Sequence, residues 1–481
     1  MTDETPSRLS ELEVDTIAAL ATAPGLGAIA LVRMSGSEAF QILQALPPGQ
    51  DDPAPRTATL RSVTRGKGGD LLDRALVTAF PRPDSYTGED MVEISCHGGW
   101  LVPRLILEAC LATGARLAEP GEFTRRAVLY GKMDLVQAEA VLDLIEGRSK
   151  AQHDAALFQV ERGLSRRITE LREQLVTVEA YLAHHIDFPE EDEAPVSVDR
   201  VVDEAAALRG ALEELLETAP EGELLREGAV TVLAGPPNSG KSSLYNALLG
   251  EERAIVTDVP GTTRDALEAV VSIGGFPFRL VDTAGLHDSD DRVEALGIEV
   301  ARRYIDRADL VLFCVESGAD LGSAEREFLA GLADVPTVLL RTKADLVSGD
   351  RATDDLNDGD CVDVAVEAVV EAVNVCESVD LSVVDGTGLG RLQAILPKLV
   401  YGGLVRTGAS VPALTRNRQS EAVRRARDHV VAFMEALDEG TPVAVASALL
   451  RPAETALEEL LGLISTDEIL DRVFREFCIG K

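Results

Sequence analysis

The densest chemistry in the chain lies in VTVLAGPPNSGKSS (230–243), an apolar strand running into G-x-x-x-x-G-K-S. Glycines let such a loop wrap closely around phosphates, and its consecutive N–H groups form an anion nest. Asn238, Ser239, Gly240, Lys241, Ser242 and Ser243 are the candidate cradle. Lys241 has the reach for the β- and γ-phosphates, and Ser242 for a Mg2+ ion. The apolar residues that follow predict a helix whose positive N-terminal end faces the same phosphates.

Three further stretches order themselves around this loop. FRLVDTAGL (278–286) reads as a strand ending at Asp282, placed to hold Mg2+ through water, followed by Thr283 and Ala284 and then Gly285, whose own N–H can sense a γ-phosphate. TDVPGTTRD (257–265) carries Thr257, Asp258, Val259, Pro260, Gly261, Thr262 and Thr263, with threonines spaced for a switch that closes over the metal. TVLLRTKADL (337–346) supplies Thr342, Lys343, Ala344 and Asp345; the Asp345 carboxylate can accept from guanine N1–H and N2–H2, an edge adenine lacks. Ser382, Val383 and Val384, in LSVVDGTG, stand where a second base-binding turn belongs. Together they predict a guanine-nucleotide-binding domain. Thr342 occupies a position usually held by asparagine, which is expected to weaken the tie between base site and phosphate loop. Leu286 stands where many small GTPases place a water-orienting glutamine, so either another group positions the water or the domain is a pure binding switch.

These motifs need elements to hold them. Residues 226–400 alternate short β-rich runs with helices, the pattern of a parallel α/β sheet. Upstream, AIALVRMSG (28–36) and MVEISCHGG (91–99) have strand character, and LVPRLILEACLATG (101–114) reads as a helix stopped by Gly114. From about 133 the periodicity turns helical. Leu135, Ala138, Leu142 and Ile145 fall on one face, and Leu164, Ile168, Leu171, Leu175 and Val178 continue with 4-3-4-3 spacing. After 401 the helical signature returns, in a stripe of Val423, Ala426, Val430, Phe433 and Leu437 and another of Leu457, Leu460, Leu461 and Ile464. The expected fold class is multidomain: an N-terminal α+β domain over 12–132, a discontinuous helical domain over 133–225 and 401–481, and a P-loop α/β domain inserted at 226–400. Residues 350–380, with ten acidic residues against one arginine, read as a solvated insertion.

Composition bounds the setting. The chain carries 82 acidic and 46 basic residues, a net charge of −36, and only seven of its cations are lysine. Such self-repulsion penalises the compact state unless salt screens it, which suggests a salt-rich cytoplasm. It also argues against nonspecific nucleic-acid binding, so any RNA contact needs a local basic patch or a partner. The six cysteines have neither metal-ligand nor disulfide spacing, and a polar N-terminus with no long apolar run predicts a cytoplasmic protein without a membrane anchor. His97, His184, His185 and Cys96 read as structural rather than ligating.

The chain resembles the MnmE (TrmE) family of tRNA modification GTPases. The likeness runs from DTIAALATAPGLGAIALVRMSG (15–36) through DSYTGEDMVEISCHGG (84–99), PGEFTRRAVLYGKMDLVQAEAV (120–141), AHHIDFPEED (183–192) and the guanine motifs to LDRVFREFCIGK (470–481). It implies that the N-terminal domain binds tetrahydrofolate and forms a homodimer. It also implies a flavoprotein partner, MnmG (GidA), in a heterotetramer. The pair uses the carbon of 5,10-methylenetetrahydrofolate, for which 5-formyltetrahydrofolate is an analogue, to place a carboxymethylaminomethyl or aminomethyl group on C5 of the wobble uridine of certain tRNAs.

Carried over by position, the family's folate residues match Arg33, Glu93, Lys132 and Lys481, a charge set suited to a pterin ring and a carboxylate tail. Its potassium ligands match Asn238, Thr257, Val259 and Thr262, its magnesium ligands Ser242 and Thr263, and its general base Glu294. The resemblance therefore implies a K+-activated GTP hydrolase in which Glu294 acts through water. A monovalent cation would replace an arginine finger. The ending Cys478-Ile479-Gly480-Lys481 has the outline of a prenylation box, but Gly480 is not aliphatic and no polybasic stretch supports an anchor. By resemblance, Lys481 enters the folate site and Cys478 sits near the modification chemistry, with a catalytic and a structural thiol both open. The competing function is a regulatory or ribosome-assembly GTPase without a direct role in modification. A folate-dependent transferase regulated by GTP is a further alternative.

Overall fold

The structure, a computed structural model, describes residues 15–46, 53–66, 69–187, 197–251, 268–282, 304–332, 335–346, 375–407, 413–464, 467–475 and 477–481. The chain divides into two compact units, Met1–Leu142 with Glu454–Lys481, and Asp143–Ala453.

The first unit opens with β1 (Ile17–Leu20), β2 (Ile29–Ser35), α1 (Ala39–Ala45), β3 (Thr59–Thr64), β4 (Leu71–Phe80), β5 (Met91–His97), α2 (Val102–Ala112) and β6 (Arg116–Leu117). Its six strands lie in the order β3-β4-β5-β2-β1-β6, antiparallel except for the β1–β6 pair. Side chains alternate faces along a strand. Ala30, Val32 and Met34 of β2 therefore enter the core with Ile42 and Leu43 of α1 and Ile106 and Cys110 of α2. The intervening residues face the other way, and register sets Arg33 of β2 opposite Glu93 of β5. Cys96 packs in this core, where burial raises its thiol to about 11, and His97 pairs at the exposed sheet end with Asp73 at 2.7 Å.

Helix α3 (Glu122–Leu129) follows, then α4 (Leu135–Glu146). Leu135, Ala138 and Leu142 of α4 pack against Leu470, Val473 and Phe474 of the chain's final helix and Phe477 just beyond it. Ile145, expected on the same stripe, is 46% exposed, and so is Ile464 at 45%. Ile145 stands in the last turn of α4 and Ile464 three residues past the helix Arg451–Leu461, each the C-terminal member of its pattern. Beneath α3 lies a charged core: Arg126 is fully buried and donates to Asp15 at 2.7 Å, Glu122 at 2.9 Å and Glu89 at 3.1 Å.

The second unit begins with α5 (Lys150–Val160), α6 (Gly163–Asp187), α7 (Val198–Glu217) and α8 (Ala219–Glu227). Ser149 caps α5 with a capping box closed by Gln152. The 4-3-4-3 residues of α6 are all buried, and α7 packs on both α6 and the later helix Asn417–Asp438. Next come β7 (Ala229–Ala234), α9 (Lys241–Glu251), β8 (Glu268–Ile273), β9 (Phe276–Asp282), β10 (Leu310–Glu316), α10 (Ser323–Ala330), β11 (Thr337–Thr342), β12 (Val375–Asp380) and α11 (Leu389–Val400). The sheet order is β12-β11-β10-β7-β9-β8, parallel but for β8. The end of the stretch expected as a solvated insertion is thus the edge strand β12. Val379 is buried and Asp380 exposed, so acidic residues on the outer face conceal a strand pattern, and they also protect an open edge.

Tyr401 closes the sheet domain where the chain leaves it. Fully buried, its hydroxyl accepts from Ala229 N–H at 3.1 Å and lies 2.6 Å from the Pro277 carbonyl. The ring stacks on Phe276 with centroids 4.9 Å apart. The first residue of β7, the β9 strand and the chain exit are therefore pinned at one point.

Candidate functional site

In the first unit, strand register does most of the positioning. Arg33 donates from Nη2 and Nε to Glu93 Oε1 at 2.7 and 3.0 Å. Its guanidinium stands over the rings of Tyr86 and Phe123, 5.5 and 5.7 Å from their centroids. A cavity of about 350 Å³ opens beside this pair, lined by Arg56, Phe80, Asp84, Tyr86, Glu93 and Lys132 among others. Lys132 Nζ donates to the Pro83 carbonyl at 2.9 Å at its rim. Three of the four expected residues thus gather here. The fourth arrives from the far end of the chain.

After the final helix, Asp467–Phe474, the tail lies along the loop that begins α3. Gly121 N–H donates to Cys478 O at 3.2 Å, Phe123 N–H to Lys481 O at 3.2 Å, and Ile479 bridges to Pro120. Lys481 is half-buried; burial, then the nearby Arg33, lower its ammonium from the usual lysine value, with Glu93 opposing. Cys478 is exposed. Arg56, with φ of 57° and its Nη2 on the Asp84 carbonyl at 2.6 Å, was not singled out in the sequence. Nothing around Arg56 in the sequence marks it, since the pocket brings it to Lys132 only through the fold. Tyr86 lies in a stretch that the resemblance covers.

The cavity suits a flat, acid-tailed ligand. It offers an aromatic wall, the carboxylates of Asp84 and Glu93 for ring N–H groups, and the cations Arg56 and Lys132 for carboxylates.

In the second unit, the phosphate loop leaves the end of the central strand β7, between β9 and β10. Gly235, with φ of 135°, passes so close to β10 that a Cβ there would meet the Cys314 carbonyl. Asn238 has φ of 61°, a left-handed conformation asparagine tolerates. Lys241 folds over its own loop, donating to the Gly235 and Pro236 carbonyls at 2.9 and 2.8 Å. Burial lowers its ammonium, against the pull of Asp282. Ser242 Oγ donates to Asp282 Oδ2 at 3.0 Å, so two oxygen ligands suited to a hard divalent cation lie together. Ser243 is exposed at the start of α9.

The base-binding turns are tied to the loop and to each other. Thr342 Oγ1 lies 2.6 Å from the Ser239 carbonyl and 3.0 Å from that of Val315. The shorter side chain at 342 therefore keeps a link to the phosphate loop. Lys343 pairs with Glu316 at 2.8 Å. Ser382 Oγ donates to Asp345 Oδ1 at 2.7 Å, Val384 N–H donates back to Ser382 Oγ at 3.2 Å, and Ala344 N–H to the Leu381 carbonyl at 3.1 Å. Val383 packs on the sheet core. Thr257, Asp258, Val259, Pro260, Gly261, Thr262, Thr263, Thr283, Ala284, Gly285 and Glu294 lie outside the described residues.

Comparison with known proteins gives both halves of the picture the same origin. A family model described as the MnmE helical domain matches residues 135–478, and one described as the GTP-binding protein TrmE N-terminus matches 16–132. A tRNA modification GTPase MnmE of Moorella thermoacetica is 41% identical over 97% of this chain and 99% of its own. That of Heliobacterium modesticaldum is 39% identical over the same shares, and that of Geobacillus thermodenitrificans is 37% identical over 98% and 100%.

Proposed function

Because the chain belongs to the MnmE family of tRNA modification GTPases, we propose that it hydrolyses GTP to drive modification of the wobble uridine of tRNA, with the flavoprotein MnmG and a one-carbon folate. The observation that carries the modification half is the docking of the tail. The carbonyl of Lys481 accepts from Phe123 N–H, and the Lys481 ammonium senses the Arg33–Glu93 pair. A GTPase acting only as an assembly switch has no use for a lysine held within electrostatic reach of that ion pair.

At the proposed folate cavity, Glu93 would accept the pterin N–H groups while Lys132, Arg56 and Lys481 would take the carboxylates. A folate held there would supply one carbon at the methylene level. Cys478, exposed three residues before Lys481, is the candidate nucleophile of the tail.

At the nucleotide, Lys241 exchanges its two loop carbonyls for β- and γ-phosphate oxygens. The exchange favours the phosphates because a partly desolvated ammonium gains more from an anion than from carbonyl dipoles. Ser242 and Asp282 would hold Mg2+, with Thr263, and Asp345 would read the guanine N1/N2 edge. Asn238 is the described member of the K+ set completed by Thr257, Val259 and Thr262, and Glu294 orients the attacking water in place of Leu286. The test is nucleoside analysis of tRNA from a strain lacking the chain: C5-modified wobble uridines should disappear and return with the intact gene. Unchanged wobble uridines would sink the proposal.

A further inference from the structure

We infer that the hydroxyls of Thr342 and Ser382, among the described residues of the base turns, have no proton to give guanine N7, so that this chain's base site does not distinguish guanine from 7-deazaguanine; the inference rests on the assignment of Asp345 to the base. A threonine hydroxyl has a single proton to give. Thr342 is 3% exposed, and its Oγ1 lies between two main-chain carbonyls, at 2.6 Å from Ser239 and 3.0 Å from Val315. Carbonyl oxygens only accept, so that proton is directed to one of them and away from any ligand. The hydroxyl beside the base turn, Ser382, gives its proton to Asp345 at 2.7 Å. Lys343 is drawn to Glu316 at 2.8 Å.

Guanine N7 is an acceptor. Neither hydroxyl near Asp345 therefore has a proton left for it. An asparagine at 342 carries two N–H protons, one for a carbonyl and one to spare. Replacing N7 by C–H should then cost this chain nothing beyond ordinary hydration, whereas a site with a donor there would keep a buried N–H unpaired.

The experiment is equilibrium competition of GDP, 7-deaza-GDP and inosine diphosphate against a fluorescent GDP on the full-length protein. The native chain should bind 7-deaza-GDP within about threefold of GDP, and the Thr342→Asn variant should disfavour it by about tenfold. Thr342→Ser, which keeps the hydroxyl and removes only a methyl group, should retain the native ratio. A tenfold preference for GDP in the native chain overturns the inference, and so does a Thr342→Asn protein that binds GDP but shows the native ratio. Inosine diphosphate separates this from the underlying assignment. Lacking the 2-amino group, it should bind about tenfold more weakly than GDP if Asp345 reads that edge; equal binding would remove Asp345, while the 7-deaza ratio still reports on N7.

Discussion

The Cβ that any residue other than glycine would carry at position 480 falls 2.4 Å from the carbonyl oxygen of Leu20 in β1. Gly480 also has φ of 99°, a conformation L side chains rarely adopt. Both facts suit the close run of the tail past β1, with Lys481 near enough to the Arg33–Glu93 pair to feel both charges. Gly480→Ala should therefore lift the tail. Binding of 5-formyltetrahydrofolate should weaken by about tenfold or more, with GTP hydrolysis unchanged, as calorimetry and phosphate release would show. Unaltered folate affinity would mean that the tail does not complete that site.

A second expectation concerns acid. Burial tends to raise the Glu122 carboxyl, but hydrogen bonds from Arg116, the Glu119 N–H and Arg126 bring it below its usual value. A depressed carboxylate adds stability above its unfolded value of about 4.3, and that contribution fades as pH falls through the lower folded value. Glu122→Gln should lose stability at pH 7 and show a flatter decline below pH 4. Because it leaves Arg126 short of a buried partner, the neutral-pH loss should be about 3 kcal/mol. Denaturant unfolding across pH measures both, and parallel profiles for the two proteins would rule the linkage out.

A third concerns guanine. Ser382→Ala removes the hydroxyl that steadies Asp345 Oδ1. A hydrogen bond to a charged group contributes about 1.5–3 kcal/mol, so GDP affinity should drop by about tenfold or more. Affinity for inosine diphosphate should drop less, narrowing the preference. Equal losses for both nucleotides would show that Ser382 supports the fold rather than the base.

How much of this was legible beforehand depends on range along the chain. The phosphate loop, Asp282 and the strands that carry them announce themselves in local spacing, because apolar period and glycine placement act within a few residues. Arg33 facing Glu93 is a matter of strand register, which sequence does not display. Arg56 and Tyr86 reach the same cavity from separate loops, and only the fold unites them. Strand β12 escaped notice because net charge overwhelmed its weak alternation. Thr342 was visible as a departure, yet its link to Ser239 depends on where β7 and β11 end in space.

Tyr401 yields a prediction of stability rather than chemistry. Tyr401→Phe keeps the stack on Phe276 but strands the Ala229 N–H, on a residue with no exposed surface. An unpaired buried donor costs about 1–3 kcal/mol. The unfolding free energy should fall by that amount, while the hydrolysis rate at 25 °C holds. A protein as stable as the native one would show that water reaches this junction.

The charge of −36 makes a last prediction, which also separates two roles of salt. Screening is indifferent to the cation: the Debye length shortens from about 10 Å at 0.1 M to about 3 Å at 1 M for KCl and NaCl alike. Repulsion among surface carboxylates should relax equally in both, so the unfolding midpoint should climb with either salt toward molar levels. A cation held at Asn238, as proposed, would be selective, because a fixed set of oxygen ligands suits one ionic radius. Hydrolysis should then accelerate in KCl and stay slow in NaCl at equal ionic strength. A midpoint indifferent to salt would remove self-repulsion as a force on this fold. Equal hydrolysis in both salts would remove the K+ site and return the transition-state charge to the protein's own groups.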